Sequence, residues 1–380
     1  MRVADLFSGC GGMSLGLRAS GMEPVFAADH WSEAAEVYTH LLEHAPKILD
    51  LSDVVRTVTH VRRERPDIVA GGPPCQDFSA AGNRKEAARA DLTLAYAEAV
   101  VAIRPTWFVM ENVLLARSSV AYKRARKLFE QAGYGITEKV LNAAYYGVPQ
   151  IRKRLIVIGR QDELDDFLSE EIDDRATDEA LTVRDYVGDE FGIQFYYRHP
   201  RVWEKRAIYS IDEPAATIRT VNRPIPMTYR SHPMDAAPPR GIRQLTPRER
   251  ARVQTFPKRI KFRCSMTMAD EMVGNAVPVK LAEHVGRAIM AHEKIRGSEP
   301  SLESFRYWLS DCRGFNERSA GSVLSRLKRS KKFLRGQRFT DHRDAAHALS
   351  KVSEFAALPS SVRSQIRRAL ELYAEFNGHL

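Results

Sequence analysis

The chain is 380 residues long, 44% hydrophobic and 28% charged, a soluble globular balance with room for two or three domains. No apolar run reaches the roughly 20 residues that a membrane span needs, and the first residues read as a strand rather than a signal peptide, so a cytoplasmic location is expected. Cys10, Cys75, Cys264 and Cys312 stand far apart with no CxxC pair, which argues against a disulfide framework and a structural zinc site, and the formal charge of +10 suits a polyanionic partner.

Taken in chain order, the first 160 residues alternate short apolar strands with helical spacing. Residues 3–7 form a strand followed at once by Gly9–Gly12, and helical spacing over 13–19 ends at Gly21. A second strand covers 25–28 and a helix 33–43. A third strand, 67–70, runs into Gly71-Gly72-Pro73-Pro74, and a helix over 92–103 leads to a fourth strand at 106–110. This pitch implies βαβ units and a parallel sheet covered on both faces, an α/β fold. Residues 136–142 and 155–159 stand closer together, as an antiparallel edge would. Residues 162–179 are acidic, and 182–240 are irregular and rich in Pro, Arg and aromatics, as a second small domain or functional insertion would be. Thr246-Pro247-Arg248-Glu249 has the order of an N-cap, Pro at N1 and an acidic first turn. Another helix covers 279–296. Beyond Gly297 the chain is mostly helical, in four or five short helices, and carries 15 Lys+Arg against 9 Asp+Glu.

Three loops fall at the carboxyl ends of strands, where open α/β sheets bind ligands. In Asp5-Leu6-Phe7-Ser8-Gly9-Cys10-Gly11-Gly12, glycines let a ligand approach a helix N-terminus, and Asp29 follows at the second strand's end where ribose-binding acids commonly sit. A plain tight turn is the alternative. In Gly72-Pro73-Pro74-Cys75-Gln76, two prolines stiffen the backbone ahead of a thiol. That thiol is either structural or a nucleophile activated by nearby cations. Glu111-Asn112-Val113 brings one carboxylate that serves as general acid, ribose ligand or loop cap. Gln150-Ile151-Arg152-Lys153-Arg154 precedes an apolar strand whose alternation aims Arg152 and Arg154 to one side.

These motifs, in this order, resemble the signature of the DNA cytosine-5 methyltransferase family. Arg243-Gln244-Leu245-Thr246-Pro247-Arg248-Glu249, Gln254-Thr255-Phe256-Pro257 and Gly274-Asn275-Ala276-Val277-Pro278 agree with it. The resemblance covers roughly residues 1–295, weakly over 162–240, and not the tail. It implies a Rossmann-like, S-adenosylmethionine-dependent methyltransferase sheet in residues 1–161, completed by 243–296. A small irregular target-recognition domain occupies 162–242, and a basic helical accessory domain occupies 297–380.

The resemblance also assigns roles. Cys75 attacks C6 of cytosine. Glu111 holds the base's N3 and amino edge as a protonated or proton-sharing carboxyl, and Arg154 with Arg152 binds O2 or stabilises developing charge. Phe7, Gly9, Gly11, Asp29, Asp50, Pro74, Asn275 and Ala276 hold S-adenosylmethionine, and no metal is expected. Thr217 contacts backbone near a flipped base, with Arg219, Asn222 and Arg223 as base or phosphate contacts. The expected partner is double-stranded DNA, bound as a monomer, with a restriction endonuclease of the same site as a possible companion. Arg89-Ala90-Asp91 departs from the family's usual Asp-x-Arg, and His30-Trp31 from its usual apolar-acidic pair. An RNA cytosine methyltransferase and a non-catalytic DNA-binding regulator are the competing readings.

Overall fold

The computed structural model describes residues 1–74, 83–200, 205–298, 302–334, 339 and 341–378, with the side chains of 83–91 and 297–298 set aside. Cys75 and the rest of 75–82 therefore lie outside the described residues.

The centre of the molecule is a seven-stranded sheet. Its strands are β1 (Arg2–Leu6), β2 (Glu23–Asp29), β3 (Lys47–Ile48), β4 (Ile68–Gly71), β5 (Trp107–Val113), β6 (Tyr134–Asn142) and β8 (Lys153–Gln161); a two-residue β7 (Gln150–Ile151) stands outside it. The order is β3-β2-β1-β4-β5-β8-β6, parallel as far as β5, after which β8 runs antiparallel to both β5 and β6. The expected antiparallel pair is present, with β8 inside the sheet and β6 at its edge. Strands β1, β4 and β5 are almost wholly buried, because helices cover both faces.

The helices are α1 (Gly12–Ala19), α2 (Ser32–Leu42), α3 (Val54–Glu64), α4 (Asn83–Ile103), α5 (Val120–Gln131), α6 (Ser169–Asp173), α7 (Val183–Val187), α8 (Pro247–Val253), α9 (Met266–Asn275) and α10 (Val279–Ser298). Asp53 and Ser119 cap α3 and α5 by accepting from Arg56 N and Tyr122 N. Thr246 and Glu249 form a reciprocal capping box with Pro247 at N1, as their order predicts. Helix α10 returns to lie along α1. A Cβ on Gly16 would stand 2.6 Å from Glu283 N, so only glycine permits this approach. Side chains from 167–172 pack with α10 on one face of the sheet, and Val183, Val187 and Phe191 join a neighbouring cluster built with α2 and α8.

Beyond them, β9 (Phe195–Tyr197) and β10 (Ile208–Ser210) form a small antiparallel ribbon with its own cluster of Tyr197, Ala207 and Ile208. The short β11 (Ala215–Ala216) pairs with β7. The tail holds α11 (Leu302–Asp311), α12 (Glu317–Phe333), α13 (His342–Ser350), α14 (Ser353–Ala356) and α15 (Ser360–Gly378), built on a separate apolar core that includes Phe305, Leu327, Phe355 and Ile366. Among the described residues these five helices agree with the expected four or five, but α12 and α15, at 17 and 19 residues, are not short.

Candidate active site

The sheet reverses direction of growth between β1 and β4, and Leu6 pairs with Gly71 there. The glycine loop and the start of the Cys75 loop are thus neighbours at a topological switch point. Phe7 bends out of β1 with φ +60°, and Gly9 and Gly11 follow at +50° and +92°. L side chains reach that region only with strain, which is why glycines cluster here. Asp29 fixes the loop: its Oδ2 accepts from Gly9 N at 2.7 Å and its Oδ1 from Trp31 N at 3.0 Å. Asp50 follows β3, beside the end of β2, and is exposed; its Oδ1 accepts from Ser52 N and Oγ, which holds its carboxyl below the usual range.

Behind the loop, Asp5 is fully buried. Its Oδ2 accepts from Ser14 Oγ at 2.6 Å, and Ser14 Oγ in turn accepts from Tyr38 Oη. Burial, opposed by the Ser14 bond and helped by the charge of Asp29, pushes the Asp5 carboxyl up to about 7. Asp5 Oδ1 and Ser8 Oγ are buried without a protein partner, and open space lies where a Cβ on Gly9 would stand. An open glycine cradle at a helix N-terminus with unmatched polar atoms beside it fits a polar nucleoside ligand. Burial pushes the Cys10 thiol up to about 12, so this cysteine is an inert core residue.

On the other side of the switch point, Asn112 Nδ2 donates to Pro73 O at 3.2 Å and anchors the start of the Cys75 loop. The neighbouring Glu111 places Oε2 3.5 Å from the position of a Cβ on Gly72. Arg154, on β8, sets its Nε 2.8 Å from Glu111 Oε1, with the two side chains only 13% and 10% exposed. The sheet brings Glu111, Arg154 and the approach to Cys75 together, as their positions at strand ends imply.

Arg152 lies deeper in the fold. It is 1% exposed, and its guanidinium donates to Ile218 O at 2.9 Å, Gly274 O at 3.0 Å and Ala276 O at 3.1 Å. Burial, with the charge of Arg154 adding and that of Glu111 opposing, pushes it down to about 9. Gln150 and Gln254 extend the same network. Gln150 Oε1 accepts from Ile218 N, its Nε2 donates to Gln254 Oε1, and Gln254 Nε2 donates to Val273 O. Asn275 is exposed and Ala276 half-buried, in a turn held to Arg152 and Gln254 by these bonds.

Thr217 Oγ1 donates to Ile151 O at 2.7 Å. Beside it, Arg198, Lys205, Arg206, Thr217 and Arg219 line a cleft of about 300 Å³. Arg198 donates to Thr217 O, Arg206 is paired with Glu213, and Arg219 donates to His199 O. Asn222 Nδ2 is bonded to Leu245 O, whereas Arg223 is exposed. Sequence reading singles out no role for Arg198, Lys205, Arg206 or Gln254. Only the arginine density of the irregular region and the Gln-Thr-Phe-Pro motif signal them. No group of three or more His, Cys, Asp or Glu among the described residues is arranged to hold a metal, and no described helix is long and apolar enough to cross a membrane.

Residues 1–291 match the family described as C-5 cytosine-specific DNA methylase. The chain is 45% identical over 293 residues to the type II methyltransferase M.HgiDI of Herpetosiphon aurantiacus, covering 77% of this chain and 95% of that protein. It is 44% identical to M.HindV of Haemophilus influenzae, covering 77% and 98% respectively. The fold is similar to the Dnmt2 methyltransferase of S. pombe, with a TM-score of 0.58 at 20% identity over 77% of this chain and 99% of that one. An E. coli prophage DNA modification methyltransferase superposes at 0.57 with 20% identity, again over 77% and 99%. The architecture is thus a Rossmann-like methyltransferase. The chain belongs to the C-5 cytosine-specific DNA methylase family and transfers methyl groups to cytosine C5 in DNA.

Proposed function

We propose that the chain methylates one cytosine of a specific duplex site through a covalent bond from Cys75 to C6, with S-adenosylmethionine as donor. The observation that carries this is the Glu111–Arg154 pair at 2.8 Å, largely buried next to the anchored start of the Cys75 loop. Cytosine C5 is a weak nucleophile. Addition of the Cys75 thiolate to C6 pushes an electron pair into the ring and makes C5 enamine-like. Glu111 shares a proton with N3 as the ring gains that charge, and Arg154 orients Glu111 and offers a cation to O2. A base inside a duplex cannot reach this pocket, so the nucleotide is flipped out at a cost of a few kcal/mol.

S-adenosylmethionine supplies, when bound, an electrophilic sulfonium methyl. Phe7, Gly9, Gly11, Asp29, Asp50, Pro74, Asn275 and Ala276 would hold it, with Asp29 acting by fixing the glycine loop. Arg152 is a positioning residue, joining the catalytic strand to both the recognition segment and the 274–276 turn. Target recognition belongs to 162–242, centred on the cleft beside Thr217 and Arg219, where cations and hydroxyls suit DNA phosphate; Asn222 and Arg223 stand on the same segment. Residues 1–161 with 243–296 form the catalytic unit. Kinship with two type II methyltransferases supports a place in restriction-modification, with a companion endonuclease reading the same site.

Transfer of labelled methyl from S-adenosylmethionine to duplex DNA, with tRNA as the control, tests the substrate. Cys75→Ser is expected to abolish turnover; retained turnover would refute the covalent route. Bisulfite sequencing of DNA from a host producing the protein reads the target site.

A further inference from the structure

The family match stops at residue 291, and the helices beyond it build a core of their own. Residues 297–380 hold 15 Lys+Arg against 9 Asp+Glu, a net +6 out of the chain's +10. Its acids are not spread evenly over the surface. Glu317 pairs with Arg306, Glu375 with Arg313, and Glu371 with Arg368, so several of the tail's cations are neutralised locally.

Helix α12 is different. Its inward face is Ala320, Val323, Leu327 and Ser330, all buried. At 100° per residue, the opposite face is Arg318, Ser322, Ser325, Arg329 and Lys332, with Lys328 flanking it. Arg318, Lys328, Arg329 and Lys332 are exposed, and none makes an ion pair among the described residues. No acid interrupts the stripe, which is about 21 Å long at 1.5 Å per residue. The helix dipole favours cations only in the last turn, and Arg318 stands in the first, where it is disfavoured. Helix stability therefore does not account for a cationic face running end to end. Cations alternating with serine hydroxyls form the donor set that contacts phosphate oxygens without reading bases.

We propose that the outward face of α12 is a second, sequence-independent contact to duplex DNA, gripping phosphates. The contact rests on duplex DNA being the substrate. It adds affinity through counterion release and leaves the choice of cytosine to the recognition segment.

The test uses the full chain with Arg318→Gln, Lys328→Gln, Arg329→Gln and Lys332→Gln combined, and measures duplex Kd from 50 to 200 mM KCl. Each lost phosphate contact lowers the slope of log K against log salt by about 0.9, so a fall of roughly 3 to 4 is expected, together with a raised KM for DNA and unchanged kcat. Lys332→Gln alone, at an exposed position, is expected to lower the slope by about 0.9. The charge-keeping set Arg318→Lys, Lys328→Arg, Arg329→Lys and Lys332→Arg is expected to keep the slope. An unaltered slope in the Gln variants overturns the proposal, as does loss of the slope in the charge-keeping set. Lost binding to polyglutamate with an unaltered DNA slope overturns it in favour of an acidic protein partner. Absence of methyl transfer by the unaltered chain counts against the catalytic reading instead, so the two failures are distinguishable.

Discussion

Replacing Glu111 by glutamine removes one charge and almost no volume from the site. In the native protein Arg154 Nε lies 2.8 Å from Glu111 Oε1 and both side chains are largely buried. At that distance and an effective dielectric of about 20, the gross attraction is roughly 6 kcal/mol, much of it offset by desolvation. Stranding one partner of a buried pair costs about 3–5 kcal/mol. Glutamine keeps a carbonyl oxygen for Arg154, so a loss near 3 kcal/mol is expected. Chemistry suffers separately. Glutamine cannot share a proton with N3, and loss of such a general acid lowers rate by about 10² to 10⁴. Urea unfolding reads the first effect as a lower midpoint at constant m, and labelled methyl transfer at saturating duplex reads the second as kcat. The Glu111→Gln, Arg154→Met double variant is expected to recover part of the stability and none of the rate. Turnover of Glu111→Gln within tenfold of the native enzyme would refute the assigned role.

Asp5 gives the protein a pH dependence of stability. Its folded value of about 7 lies above the ordinary 3.8, so the folded state holds a proton that the unfolded chain releases between these limits. Stability is then fullest below about pH 4, falls as pH rises to about 7 and is flat beyond, by up to roughly 4 kcal/mol at 1.36 kcal/mol per unit. Asp5→Asn is expected to remove this component, visible as a smaller drop in unfolding midpoint between pH 5 and pH 8; an equal drop in both proteins would contradict it. Gly274→Ala sets a Cβ 2.6 Å from Arg219 O, against backbone that cannot rotate away. The expected cost is about 1–3 kcal/mol, with a raised KM for DNA because the recognition segment must shift. An unchanged KM would separate Gly274 from recognition.

Much of the catalytic half is legible from residue order alone. Strand–helix alternation places the glycine loop, Pro73 and Glu111 at one sheet edge, because parallel strands leave their carboxyl ends together, and Arg154 joins them because it stands at the start of the antiparallel β8. Thr246 to Glu249 announces its helix through local hydrogen bonding. Arg152 is different: its partners lie 66, 122 and 124 residues away, and no local pattern encodes carbonyls that only the folded chain brings near. The insertion of β8 between β5 and β6 is equally non-local. Helices α3 and α5 fall in stretches that the sequence reading leaves unassigned, though both are strongly amphipathic. The ribbon β9–β10 has three residues per strand, too few for alternation to show.

The guanidinium partners of Arg152 are all main-chain oxygens, and so is the Ile151 oxygen that Thr217 grips. A carbonyl is the same whatever side chain its residue carries. At Arg152 and Thr217, the contact between the catalytic strand and the proposed recognition segment is therefore blind to sequence on the acceptor side. On the proposed assignment of 162–242 to target recognition, residues beyond these two contacts can change side chain without loosening them.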